Sequence, residues 1–174
     1  MVLPDLNELF AGFQLAETIR IDAPPEKVWN LVTDVHRMVE FSPELVDVEW
    51  LDEPAEPTRG ARFAGKSRIG GFEWTRNCTI VEAREPRLFT YEVYDEADEF
   101  AQSRWSFEVT EDGDATILRQ RFAHVPDGRS TIRLMAEAEP DRAEEIVAER
   151  AEVLKQAMCQ TLETIRDVLT DSKV

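Results

Sequence analysis

The chain has 174 residues, of which 43% are hydrophobic and 32% charged, and its 36 acidic against 20 basic side chains give a formal net charge of −16. That length suits a single domain over residues 1–174 that buries about 70% of its unfolded surface, with globular rather than disordered composition. The negative field repels phosphate backbones and anionic lipid surfaces, and the arginines are scattered without a basic run, so neither nucleic acid nor a membrane is an expected partner.

Cys78 and Cys159 stand far apart with no second ligand pair near either, which matches neither a disulfide framework nor a zinc spacing. Buried free thiols in a reducing, cytoplasmic compartment are expected. Met1 to Phe10 contains Asp5 and Glu8 and lacks a basic start followed by an apolar run, so no signal peptide is expected. Residues 1–12 read as an N-terminal extension of the kind that stays loosely ordered.

From Phe13 to Ile21 apolar and polar residues alternate as in a strand, although the phase is mixed. Pro24 and Pro25 suit the first turn of a helix, where a missing N–H costs nothing, and Asp22 and Glu26 place negative charge at its positive end. That helix spans about 24–33, with Val28, Leu31 and Val32 in one stripe, Trp29 beside it, and Glu26, Lys27 and Asn30 toward water. A second short helix over about 35–41 turns Met38, Val39 and Phe41 inward and stops before Pro43.

Strands follow near 45–52, 60–69, 72–84, 87–95, 101–111 and 115–125. They are separated by Pro54 and Pro57, Gly70-Gly71, Glu85-Pro86, Asp95 to Glu99, and Asp112-Gly113, the punctuation of an antiparallel meander. From Asp141 to Leu169, Ile146, Val147, Val153, Leu154, Met158, Leu162, Ile165, Val168 and Leu169 recur at helical spacing behind Pro140. The order strand, two short helices, six strands, long helix is α+β, with a curved antiparallel sheet wrapped around the C-terminal helix and a cavity between them. No helical segment has the length and apolarity of a membrane span.

The run Ile21-Asp22-Ala23-Pro24-Pro25-Glu26-Lys27-Val28-Trp29-Asn30-Leu31-Val32-Thr33-Asp34 resembles the opening of the START-like (SRPBCC) superfamily, specifically its bacterial polyketide cyclase/dehydrase and lipid-transport type. The likeness continues through Phe41-Ser42-Pro43, Gly60-Ala61-Arg62-Phe63, Val81 to Leu88, Trp105-Ser106-Phe107 and Asp112 to Thr116, over about Ala16 to Leu169. It implies the helix-grip fold. It implies function less narrowly, because members bind lipids, sterols, polyketides, quinones or plant hormones and only some are catalytic. Arg129 to Glu139 departs from the plainest version and resembles actinobacterial members. Within 126–140, Ser130 can cap a short helix carrying Ile132, Leu134 and Met135, either as a lid over the cavity mouth or packed permanently against the sheet edge.

Alternation places Phe89, Tyr91 and Val93 on the inward face, with Ala101, Ser103, Trp105, Phe107 and Val109. On the last strand the choice lies between Leu118, Gln120, Phe122 and His124 and the opposite set with Ile117, Arg119 and Arg121; burying two arginines is costly, which favours the first. The expected cavity wall is Met38, Trp74, Phe89, Tyr91, Trp105, Phe107, Gln120, Phe122, His124, Leu134 and Met158. His124 is a candidate general acid or base, or a strand-end histidine held by hydrogen bonds. His36 is expected to be exposed. Arg76, on the strand of Trp74 and Cys78, can meet a ligand carboxylate or enolate, or pair with Glu92 or Glu73 at the surface. There is no glycine-rich phosphate loop, no Gly-x-Ser-x-Gly and no His-Glu-x-x-His, so no cofactor or metal is expected.

Three functions are compatible with these residues. The first is binding of a small hydrophobic ligand, lipid-, polyketide- or aromatic-like, in the internal cavity. The second is cyclisation and dehydration of a similar ligand, with His124 or Arg76 assisting proton transfer. The third is a protein-interaction module or homodimer built on the acidic surface and the long helix, with a vestigial cavity.

Overall fold

In the computed structural model, which describes residues 2–171, the chain forms one seven-stranded sheet and five α-helices. The ends of the expected 1–174 unit, Met1 and residues 172–174, lie outside the described residues. The strands are β1 (Gln14–Ile21), β2 (Leu45–Trp50), β3 (Arg62–Ile69), β4 (Phe72–Arg84), β5 (Leu88–Tyr94), β6 (Ala101–Asp112) and β7 (Ala115–His124). Every pair is antiparallel, in the order β1-β7-β6-β5-β4-β3-β2. Gly70 and Gly113, at φ 59° and 61°, supply the left-handed residue that the β3–β4 and β6–β7 turns require. Each expected strand exists, with every end within about two residues of the expectation.

Helix α2 (Pro25–Val32) begins on the proline pair and buries Val28, Trp29, Leu31 and Val32 against the sheet, so Trp29 sits in the stripe rather than beside it. Each such side chain contributes about 1.5–3 kcal/mol of apolar burial. The next segment splits into a 3₁₀ turn, Val35–Arg37, and α3 (Met38–Phe41). The tighter turn changes the helical phase. Val35 is therefore buried with Met38 and Phe41, whereas Val39, expected inward, is exposed.

The N-terminal residues are ordered, contrary to expectation. Asp5 caps α1 (Leu6–Ala11), its carboxylate accepting from Asn7 N and Glu8 N, and Phe10 is 0% exposed among Phe13, Phe122, Ala136 and Met158. Helix α4 (Thr131–Ala138) follows β7 and packs on α1 and α5. Helix α5 (Ala143–Asp171), preceded by a 3₁₀ turn at Pro140–Arg142, crosses the concave face of the sheet and touches α2, α3 and β1. Its stripe buries Ile146, Val147, Leu154, Met158, Leu162, Ile165 and Leu169, but Val153 faces water. Cys78 is buried and Cys159 only half-buried, and both are free.

The apolar interior divides into two clusters. One surrounds α2, with Leu31, Ile80, Phe89, Leu118 and Ile165; the other surrounds α1, with Phe10, Phe13, Phe122, Leu154 and Met158. Together the curved sheet and its long helix make the helix-grip arrangement.

Candidate functional site

Between the two clusters lies a cavity of about 400 Å³, within the usual range for small-molecule sites. Its walls draw on both: Phe41, Phe63 and Phe107 from one, Phe13, Phe122, Leu154 and Met158 from the other.

Strand register orders the sheet wall into rows. One row runs His124, Ser103, Val93, Cys78 and Phe63, from β7 to β3. On the α2 side lies the row Phe122, Trp105 and Tyr91, and beyond it Gln120 beside Phe107. On the opposite side Arg76 pairs with Gly65, Trp74 with Ser67, and exposed Phe72 with exposed Ile69. Phe72 stacks on Trp74 at 5.5 Å between ring centroids. The cavity is therefore closed at Gln120 and Phe107 and reaches the surface at Phe72, Ile69 and Met135.

Of the residues expected on this wall, Met38, Trp74, Tyr91, Trp105, Phe107, Gln120, Phe122, His124 and Met158 line the cavity, as does Arg76. Phe89 and Leu134 do not. Phe89 points inward but is covered by Trp29 of α2, with ring centroids 6.3 Å apart. Leu134 is 45% exposed, while Ile132 and Met135 of the same helix face the cavity. His36 is exposed, and its Nδ1 lies 2.9 Å from the Val48 carbonyl.

His124 is buried and fully engaged. Its Nδ1 lies 2.6 Å from the Val125 carbonyl, which can only accept, so Nδ1 carries the proton. The unprotonated Nε2 then accepts from the Ser130 hydroxyl at 2.6 Å, and Ser130 Oγ accepts from Arg133 N–H at 3.1 Å as the N-cap of α4. Burial lowers the imidazole pKa, opposed by the bond to Val125 and assisted by the Arg133 charge. The ring is a neutral tie between β7 and α4 rather than a free base.

Cys78 and Tyr91 are also held neutral, since burial pushes the thiol up to about 12 and raises the phenol pKa further above its ordinary value. Among the described residues no three His, Cys, Asp or Glu side chains converge to hold a metal ion.

Arg150 and Glu44 are among the lining residues that escaped the sequence reading. Arg150 donates to both carboxylate oxygens of Glu44, at 2.8 and 3.0 Å, tying α5 to the segment before β2. Its position in the stripe Ile146, Val147, Arg150, Leu154 was a signal that it faces inward. Nothing local marks Glu44.

Arg76 has no such partner among the described residues. Glu92 is taken by Arg104, and Glu73 by Arg68 and Lys66. The hydrogen bond Arg76 makes runs from Nη1 to the Thr75 carbonyl, at 2.9 Å.

Solved proteins share this fold at low identity. Cgl2372, a polyketide-cyclase-like protein of Corynebacterium glutamicum, matches with a TM-score of 0.66 and 24% identity over 91% of each chain. Ms6760 of Mycobacterium smegmatis gives 0.61 and 18% identity over 99% of this chain and 98% of that one. The di-domain ARO/CYC StfQ of the steffimycin biosynthetic pathway gives 0.69 and 11% identity over 92% of this chain and 51% of that one, so this chain spans about half of it. No curated protein matches the sequence. The model of the polyketide cyclase/dehydrase and lipid transport family covers residues 13–169, and the chain belongs to that family.

Proposed function

We propose that this protein binds a small hydrophobic molecule, aromatic or acyl in character, in the cavity between sheet and α5. The observation that carries the reading is the wall itself: about 400 Å³ of space bounded by Tyr91, Trp105, Phe107, Phe122, Leu154 and Met158, with few polar groups among them. Apolar contact supplies affinity at such a site and isolated polar groups fix orientation. The family description, which includes lipid transport, is consistent with a carrier.

That description also includes cyclases and dehydrases, and StfQ is an ARO/CYC protein. A cyclising role here would lack its most obvious base, because both ring nitrogens of His124 are occupied by Val125 and Ser130. Holding a ligand requires no proton transfer and fits the residues better.

Native mass spectrometry of freshly purified protein, followed by solvent extraction, tests the proposal. A stoichiometric hydrophobic adduct, or uptake of the neutral probe N-phenyl-1-naphthylamine at one site per chain, is the expected result. Protein that neither carries an adduct nor takes up the probe would overturn it.

A further inference from the structure

Among the described residues, four buried side-chain polar atoms lack a hydrogen-bond partner, and three of them, Arg76 Nε, Gln102 Oε1 and Gln120 Oε1, belong to residues on the cavity wall. Buried polar groups are ordinarily paired, so this concentration in one place points to a partner that the chain does not supply. Water can solvate an amide oxygen. Arg76 is half-buried, and water at its outer edge does not reach the buried Nε.

Arg76 is the informative member. Arginine keeps its charge at every accessible pH, and its planar donors match a carboxylate edge. The other lining arginine, Arg150, has Glu44 in bidentate contact. Among the described residues Arg76 is left without a carboxylate partner, although the chain has 36 acidic side chains. Its positive charge stands on a mainly apolar wall, at the mouth end of the cavity beside Trp74.

At the closed end the requirement is the reverse. Gln120 is buried beside Phe107 with its carbonyl oxygen unpaired, and that oxygen accepts hydrogen bonds only from an N–H or O–H. Glu44 on the same wall and the overall charge of −16 disfavour a second negative charge.

We propose that the cavity is built for a monoanionic amphipathic acid, its carboxylate on Arg76, its apolar body among Tyr91, Trp105, Phe107 and Phe122, and a hydroxyl or N–H reaching Gln120. This inference rests on the container reading above and names the chemical class the container takes.

The test uses acid and alcohol pairs of one shape, 2-anthracenecarboxylate against 2-anthracenemethanol and dodecanoate against dodecanol, competing with N-phenyl-1-naphthylamine at neutral pH. The expected result is that the wild-type protein prefers at least one acid over its alcohol by about tenfold to a hundredfold, the range of a hydrogen bond to a charged group. Arg76→Met should erase the preference, the affinity for the acid falling to that of its alcohol in the same variant. Arg76→Lys, which keeps the charge but loses the planar fork, should retain part of it.

Equal binding of acid and alcohol by the wild type, or a preference that survives Arg76→Met, would overturn the assignment and leave the container standing. Wild-type protein that neither carries an adduct nor binds the neutral probe would overturn both. If Arg76→Met does not fold, Arg76→Gln takes its place in the same comparison.

Discussion

His124 Nε2 and Ser130 Oγ lie 2.6 Å apart, and that contact joins the last strand to the cap of the helix beside the cavity mouth. The hydroxyl has two duties: it accepts from Arg133 N–H to start α4 and donates to the imidazole. Protonating His124 would turn Nε2 into a donor and remove that acceptor. The helix cap and the ionisation of one histidine are therefore coupled.

The sign of the pH dependence follows. His124 has a folded-state pKa below its ordinary 6.5, chiefly through burial, so below that value the unfolded chain takes up the proton more readily. The stabilisation is fully present above pH 6.5 and is lost as pH falls through the folded-state value, with a slope of no more than about 1.4 kcal/mol per pH unit for one proton. Denaturant midpoints should decline on acidification just below pH 6.5, and His124→Asn should flatten that part of the curve. An unchanged curve in the variant would mean that His124 does not carry the effect.

Ser130→Ala removes the cap and leaves Nε2 unpaired. The cap alone contributes about 1 kcal/mol and the orphaned acceptor about 1–3 kcal/mol, in part overlapping. A fall in melting temperature of several degrees, at about 2–4 °C per kcal/mol for a chain of this size, is expected. Ser130→Thr, which keeps the hydroxyl, should lose much less, and an equal loss would point to crowding instead of the hydrogen bonds.

Phe10→Ala should be among the costliest single changes in the N-terminal segment. Phe10 is fully buried, its ring centroid is 4.6 Å from that of His124, and the Arg133 guanidinium carbon stands 5.3 Å from the ring centre. Truncating such a phenylalanine costs about 3–5 kcal/mol, which denaturant unfolding reads directly. A loss under about 1 kcal/mol, the level of an ordinary surface change, would show that α1 is loosely attached.

That segment also shows where the sequence was hard to read. Period-two patterning found the inward face of β5, β6 and β7, down to Gln120 and His124, because a strand with one covered face announces its parity. Asp5 followed by Glu8 carried a capping signal for α1, yet the absence of a long apolar run around it hid the helix. Val39 was misplaced because a 3₁₀ turn shifts phase by less than a residue per turn, too little to see in seven residues.

The division of inward residues between core and cavity was not legible. Phe89 and Phe107 share the same parity and lie opposite one another across β5 and β6, and the position of Trp29 on α2 is what covers one and leaves the other on the cavity wall. Helix placement over a sheet is a non-local outcome. The solitude of Arg76 is also non-local, since Glu73 and Glu92 were available in sequence and proved to be engaged elsewhere.

The Arg150–Glu44 pair should behave as a matched unit. Both side chains are about one-fifth exposed, so removing one partner leaves a poorly solvated charge beside the cavity. Arg150→Met alone should destabilise by about 1–3 kcal/mol, less than for a fully buried pair, and Arg150→Met with Glu44→Gln should recover part of that loss. Additive losses in the double variant would show that the pair contributes no coupling energy.

Ala157→Phe tests the space itself. Ala157 lies on the cavity-lining side of α5, between Leu154 and Thr161, and a phenyl ring there would occupy room that the present side chains leave open. Filling space that already exists avoids most of the roughly 1–3 kcal/mol that overpacking a dense core costs, so the variant should fold with a melting temperature near that of the wild type. Affinity for N-phenyl-1-naphthylamine should fall by about tenfold or more, since the lost contact area resembles that of a buried aromatic group. Full retention of affinity would place the probe elsewhere on the molecule. An unfolded variant would show the region to be packed at core density, and Phe107→Trp at the closed end would then decide between a smaller cavity and none.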